Sequence, residues 1–282
     1  MKKIVSLWLF FLSFTLCIGQ NEKTVDMRSP GTLSMLLSHN DMEETTLLKI
    51  TGRMNAKDFG TIDSYMNSLK VLDLKDVKIE TYTGVIKPQE PSAVYPENQI
   101  PSKSLQNKKL MTQIILPDNL TVIREGAFSG CSNLTSIVLP HSLKVIAKKS
   151  FYECTSLTSI EIPSSVISIE DMAFSKCTRL SEIKLNEGLR SIGKSTFSSC
   201  SSLEEINLPH SLTSIGETAF ENCKILKHIY TQNPEPINLP KEPTTRYLEA
   251  YKQITLYVPA NAVQKYSAAY KSYKFKHIKP ID

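Results

Sequence analysis

Leu134-Thr135-Ser136-Ile137-Val138-Leu139-Pro140-His141-Ser142-Leu143-Lys144-Val145-Ile146 runs on into Ala147-Lys148-Lys149-Ser150-Phe151-Tyr152-Glu153-Cys154, and after Thr155-Ser156 the residue Leu157 starts the pattern over. Cys131, Cys154, Cys177, Cys200 and Cys223 keep an interval of 23 residues, as do Phe128, Phe151, Phe174, Phe197 and Phe220. Leu134, Leu157, Leu180, Leu203 and Leu226 hold the same phase, and so do Ile137, Ile160, Ile183, Ile206 and Ile229. Two shorter rows, Leu143-Val166-Leu189-Leu212 and Ile146-Ile169-Ile192-Ile215, complete a unit of the form L-x-x-I-x-L-P-x-x-L-x-x-I-x-x-x-A-F-x-x-C. Self-similarity at a fixed interval of this size is the mark of a stacked repeat architecture.

Within a unit, Ile137 and Leu139 alternate with Ser136 and Val138, the period of a strand with one face buried. Pro140 ends that strand because it supplies no amide donor. Leu143 and Ile146 mark a second extended piece, and Ala127-Phe128-Ser129-Gly130-Cys131 reads as a single helical turn. The pattern predicts an α/β repeat solenoid, a right-handed coil of short strands and helical turns with period 23. One unit cannot bury its own apolar face, so neighbouring units must shelter one another.

The rows extend both ways from residues 100–231. Ile114, Leu116, Pro117, Leu120 and Ile123 form an earlier unit, with Leu105 at the phenylalanine position and Lys108 at the cysteine position. Residues 20–79 read as an N-terminal cap with helix-bearing repeats. There Leu48-Lys49-Ile50 and Leu69 to Leu74 carry the strand signature, Phe59, Ile62 and Met66 are spaced as on a helix capped by Asn55, and Thr32 to Ser38 looks like a capping helix. Residues 80–99, with Pro88, Pro91 and Pro96, read as an inserted loop. Residues 232–282 read as a C-terminal cap: a proline-rich stretch, the strand-plus-proline Ile254 to Pro259, a helix over 260–272 and a last short strand from Phe275 to Ile281. Six of the 11 tyrosines fall between Tyr247 and Tyr273, either as an aromatic seal on the open end or as a contact surface.

Lys2 and Lys3 before the apolar run Ile4 to Ile18 match a secretory signal peptide over 1–19, with cleavage after Gly19. A lipid on Cys17 and an uncleaved anchor are the other readings. Losing residues 1–19 removes two lysines and no acid, so the formal charge falls from +5 to +3, which makes no electrostatic case for nucleic acid. The expected location is secreted or cell surface, with the membrane reached only through a lipid at Cys17.

The L-x-x-I-x-L-P … I-x-x-x-A-F-x-x-C unit resembles the BspA-like (treponemal-type) leucine-rich repeat surface proteins of Bacteroides-type bacteria. Leu48-Lys49-Ile50-Thr51-Gly52 with Asn55 to Phe59, and Leu256-Tyr257-Val258-Pro259 with Tyr266 and Phe275, are similar to the two ends of such proteins. Ordinary leucine-rich repeats carry asparagine or cysteine where this chain has Ser142, Ser165, Gly188 and Ser211, and only Asn119 fits that form. The resemblance implies a non-enzymatic protein that binds host matrix proteins or other cells, and it transfers no catalytic or ligand residues.

No chemistry stands out against that reading. Metal sites usually pair ligands within one segment, and each unit here supplies one cysteine. A buried ladder of thiols is the expected arrangement, with one or two disulfides or a metal site as the alternatives. His141 and His210 read as exposed loop residues, about 14 Å apart on the strand spacing and too far to share a metal. Glu204 and Glu205 should point to opposite faces of a strand and make no acid/base pair. No catalytic residue, metal ligand or cofactor is expected. The outward grid of the first strands is the candidate binding face: Gln113 and Ile115, Ser136 and Val138, Ser159 and Glu161, Glu182 and Lys184, Glu205 and Asn207, His228 and Tyr230. Its partner would be a protein or a glycan, and Tyr230 as its one aromatic residue besides the imidazole of His228 argues against sugar.

Overall fold

The computed structural model describes residues 21–86, 91–240 and 251–281. The expected leader 1–19 with Cys17, and with it Pro88, Pro243 and Tyr247, lies outside those residues. Two sets of parallel strands line two sides of one continuous apolar core. The first set runs Glu22–Met27, Leu47–Met54, Val71–Ile79 and Gln113–Ile115 as one four-stranded sheet, then Ser159–Ile162 beside Glu182–Leu185. It closes with Glu205–Leu208, His228–Thr231, Thr255–Val258 and His277–Pro280, again four strands in sequence order. The second set is a six-stranded sheet of two-residue strands from Gln99–Ile100 to Ser214–Ile215, in which Val122 lies opposite Val145, Ser168 opposite Ser191 and Ser191 opposite Ser214.

Between the sheets the phenylalanines stack. Ring centroids of Phe128, Phe151, Phe174, Phe197 and Phe220 follow one another at 5.2, 5.1, 5.8 and 5.9 Å, and all five rings are buried. The five cysteines are buried and free. Each thiol donates a hydrogen bond to the carbonyl at the phenylalanine position of the preceding unit, for example Cys154 to Phe128 and Cys177 to Phe151. The cysteine column is therefore a row of weak donors as well as small apolar filler. Ser142, Ser165 and Ser211 similarly donate to the carbonyls of Leu120, Leu143 and Leu189, doing the joining that asparagine does in ordinary repeats.

The expected helical turn is not helical. Cys131 N bonds Phe128 O and Ala127 N bonds Arg124 O, which are short three-residue turns, while Gly126, Phe128 and Gly130 donate to Lys148, Ser150 and Tyr152 of the next unit. Two residues per unit adopt left-handed backbone, such as Lys149 (φ 55°) and Glu153 (φ 61°), then Met172 (φ 58°) and Lys176 (φ 62°). That conformation costs a non-glycine residue about 1–2 kcal/mol. It turns every second amide along the stack, where it meets a carbonyl.

A second departure lies at Ser136 to Leu139, which forms no strand although Ile137 and Leu139 are buried and Val138 is 84% exposed. Among the described residues this segment makes no backbone hydrogen bond to Gln113–Ile115 or to Ser159–Ile162, so the first face is parted there. A third concerns 80–99, where Tyr82–Gly84 and Ala93–Tyr95 pair as an antiparallel hairpin with stacked tyrosines, and Gln99 joins the second sheet opposite Val122.

At the N-terminal end, Asn55 caps helix Ala56–Tyr65, and two short helices, Leu33–Leu36 and His39–Glu44, precede it. The buried carboxylate of Asp58 accepts from the amides of Gly31 (2.7 Å), Leu33 (3.0 Å) and Asn55 (2.9 Å) and thereby ties those helices together. At the other end, Tyr251, Tyr266, Tyr270 and Tyr273 are buried against the stack. The hydroxyl of Tyr266 donates to the carbonyls of Asn233 and Glu235, and those of Tyr270 and Tyr273 to Ile237 and Pro240. These four rings thus belong to the continuous apolar core rather than to an open surface.

Candidate functional site

The outward side chains follow from strand alternation: Ile160, Ile162, Ile183, Leu185, Ile206 and Leu208 face the core, so their neighbours face solvent. Ser136, Val138, Ser159, Glu161, Glu182, Lys184, Glu205 and Asn207 are exposed; Gln113, Ile115, His228 and Tyr230 are partly covered. The face is broken into three groups by the parting of the strands. Gln113 and Ile115 lie on the edge of the N-terminal sheet, where they and Ser136 and Val138 line a cleft of about 140 Å³. The ion pair Lys75–Asp118 (2.5 Å) sits among its lining residues.

In the middle group Glu161 and Lys184 satisfy each other at 2.7 Å, with the Asn186 amide 2.9 Å from the same oxygen. The hydrogen bond from Lys184 and then that from Asn186 hold the Glu161 carboxyl below its ordinary value. An exposed pair of this kind contributes little to binding.

The third group is the densest. Glu205 lies in register with His228, Asn207 with Tyr230, and Tyr230 with Tyr257. The phenol rings of Tyr230 and Tyr257 stack at 4.7 Å with an interplanar angle of 15°, and the His228 ring tilts against both, 6.2 Å from Tyr230 and 5.7 Å from Tyr257. Burial, then the nearby charge of Glu205, pushes the Tyr230 hydroxyl upward. Tyr257 is the residue that sequence reasoning missed: it stands 27, not 23, residues after Tyr230. The signal was present, since Leu256-Tyr257-Val258 matches Ile229-Tyr230-Thr231 once the proline-rich stretch is taken as an insertion.

Other expectations fall into place around this face. His141 and His210 are exposed. Glu204 and Glu205 do not lie on opposite faces: both are exposed, because Glu204 precedes the strand, and Glu204 pairs with Lys227 at 3.0 Å. Among the described residues no three histidine, cysteine or acidic side chains group as metal ligands, and no helix is long and apolar enough to cross a membrane.

The family model described as the BspA type leucine rich repeat region matches residues 98–227 in six copies. No curated protein matches the chain. Among solved structures, a leucine-rich repeat protein from Bacteroides ovatus is similar at 18% identity and TM-score 0.48, over 83% of this chain and 65% of that one; the present chain thus spans less than two thirds of that relative. The Treponema pallidum leucine rich repeat protein is similar at 22% identity and TM-score 0.40, over 70% of this chain and 94% of its own. A leucine rich cell surface protein from Faecalibacterium prausnitzii is similar at 18% identity and TM-score 0.32, over 83% of this chain and 80% of its own. With six copies of the unit matched and parallel strands built from it, residues 98–227 are a BspA-type leucine-rich repeat region.

Proposed function

We propose that this is an exported, non-enzymatic binding protein whose outward strand face engages another protein. In this reading 20–79 and 232–282 cap a right-handed coil of 23-residue units over 100–231, with 80–99 inserted, and the leader 1–19 carries the chain out of the cytoplasm. The observation that supports protein contact is the cluster of Tyr230, Tyr257 and His228 on a rigid strand array. Tyrosine supplies large contact area at low entropic cost and is enriched at interface centres. Sugar rings prefer an open aromatic face, and here each phenol covers a face of the other at 4.7 Å, which favours a protein over a polysaccharide.

The test is to probe the exported chain on an array of extracellular and surface proteins and on a glycan array, beside the double variant Tyr230→Ala/Tyr257→Ala. Protein hits that the variant loses are expected. Selective glycan hits without protein hits, or protein hits indifferent to the variant, would overturn the reading. Mass spectrometry of the mature N-terminus distinguishes a lipid on Cys17 from free secretion.

A further inference from the structure

Resting on the reading that this face binds protein, we propose that the partner presents an arginine side chain, received by Glu205 together with the Tyr230–Tyr257 pair. The charges of the face are unevenly settled. Glu161 has Lys184 and Glu204 has Lys227 as partners. Glu182 and Glu205 occupy the same outward position on successive strands, both exposed, and among the described residues neither meets a cation.

The neighbourhood selects which cation. Glu205 is in register with His228, one strand from the partly buried phenol of Tyr230. A planar guanidinium can lie against the aromatic edge while its fork bonds a carboxylate in two places, which the compact ammonium of lysine does not do. A bare metal ion is the poorer fit, because hard cations require six or more oxygen ligands and no three acidic, histidine or cysteine groups converge among the described residues. Glu205 is thus a polar anchor beside an aromatic one, the pairing found where binding energy concentrates.

The probes are the acetylated, amidated peptide Gly-Gly-Arg-Gly-Gly and its citrulline counterpart, titrated into the exported chain while NMR follows the tyrosine and histidine ring signals. The arginine peptide is expected to bind about tenfold tighter than the citrulline peptide, the scale of one charge-assisted pair. Glu205→Gln should remove most of that difference and Tyr257→Leu should weaken it several-fold. Glu204→Gln should leave it unchanged, and an unaltered thermal transition shows each variant folded. Equal binding of the two peptides, indifference to Glu205→Gln, or a neutral oligosaccharide shifting the same rings in place of the peptide would overturn the inference. If protein capture still depends on Tyr230 and Tyr257 while the peptides fail to discriminate, the arginine assignment alone falls.

Discussion

The rings of Phe151 and Phe174 lie parallel within 3°, their centroids 5.1 Å apart, though 23 residues of chain separate them. Each interior ring is stacked on both sides, whereas Phe220 has one stacked neighbour among the described residues. Phe174→Ala should therefore cost about 3–5 kcal/mol, the range for emptying a buried aromatic site, and Phe220→Ala should cost less. Guanidinium unfolding midpoints measure both. Equal losses would mean that the column does not act as a stack.

The thiols should be inert in the folded protein. Burial pushes Cys131 and Cys223 up to about 12 and the three between them well above the usual thiol range. Thiolate is the reactive form, so a colorimetric thiol reagent at pH 8 should find none of the five in native protein and all five in denaturant. Native labelling would contradict the buried column. Fewer than five in denaturant would reveal a disulfide.

Lys108 replaces cysteine where the repeats meet the helix-bearing end. Its ammonium donates to the carbonyls of Asp63 (2.8 Å) and Met66 (3.2 Å) and to the Asn67 side chain (3.0 Å) at the end of helix Ala56–Tyr65. Lys108→Met fits the space but strands those acceptors, and should cost about 2–4 kcal/mol. The exposed neighbour Lys109→Met should change stability by under about 0.5 kcal/mol. Urea denaturation of the two variants decides it.

Two carboxylates at the N-terminal end should titrate with opposite sign. Hydrogen bonds from Lys23 and Ser38 lower Asp41 to about 2, so its stabilisation is present above its ordinary value and is lost as pH falls toward 2. Burial raises Asp58 against the pull of its three amides, so protonation favours the fold as pH falls through that raised value. Between pH 4 and 2, wild type should lose stability relative to Asp41→Asn. Above pH 4, Asp58→Asn should lack the gain on acidification that wild type shows. Urea midpoints from pH 6 to pH 2 give both slopes, and a reversed sign for either residue would refute its assigned environment.

Much of this molecule can be read from its residues because apolar side chains record the core directly: the phenylalanine and cysteine columns, Asn55 as a cap and Lys108 in a cysteine place are all visible as letters. The turns were not, because left-handed backbone usually announces itself as glycine. Here Lys149, Glu153, Met172 and Lys176 adopt it, and the compensation is an amide bond to the next unit, which no local pattern displays. The missing strand at Ser136–Leu139 is invisible for a related reason, since its alternation matches that of its paired neighbours. Tyr257 escaped the grid because a proline-rich stretch shifts its phase by four residues, so the aromatic core of the candidate site emerges only in three dimensions.

The forward-donating amides of the turns give the molecule a polarity. Within the turns each unit hands amide hydrogens to its successor, whereas its thiol, its serine and the amides flanking the second strand, such as Lys144 and Ala147, bond back to its predecessor, so the two sides of a unit are chemically unlike. Whole units can be spliced into or cut from the middle without leaving a mismatched seam. The closing pieces, by contrast, cannot be exchanged, and two such molecules can extend one another only nose to tail.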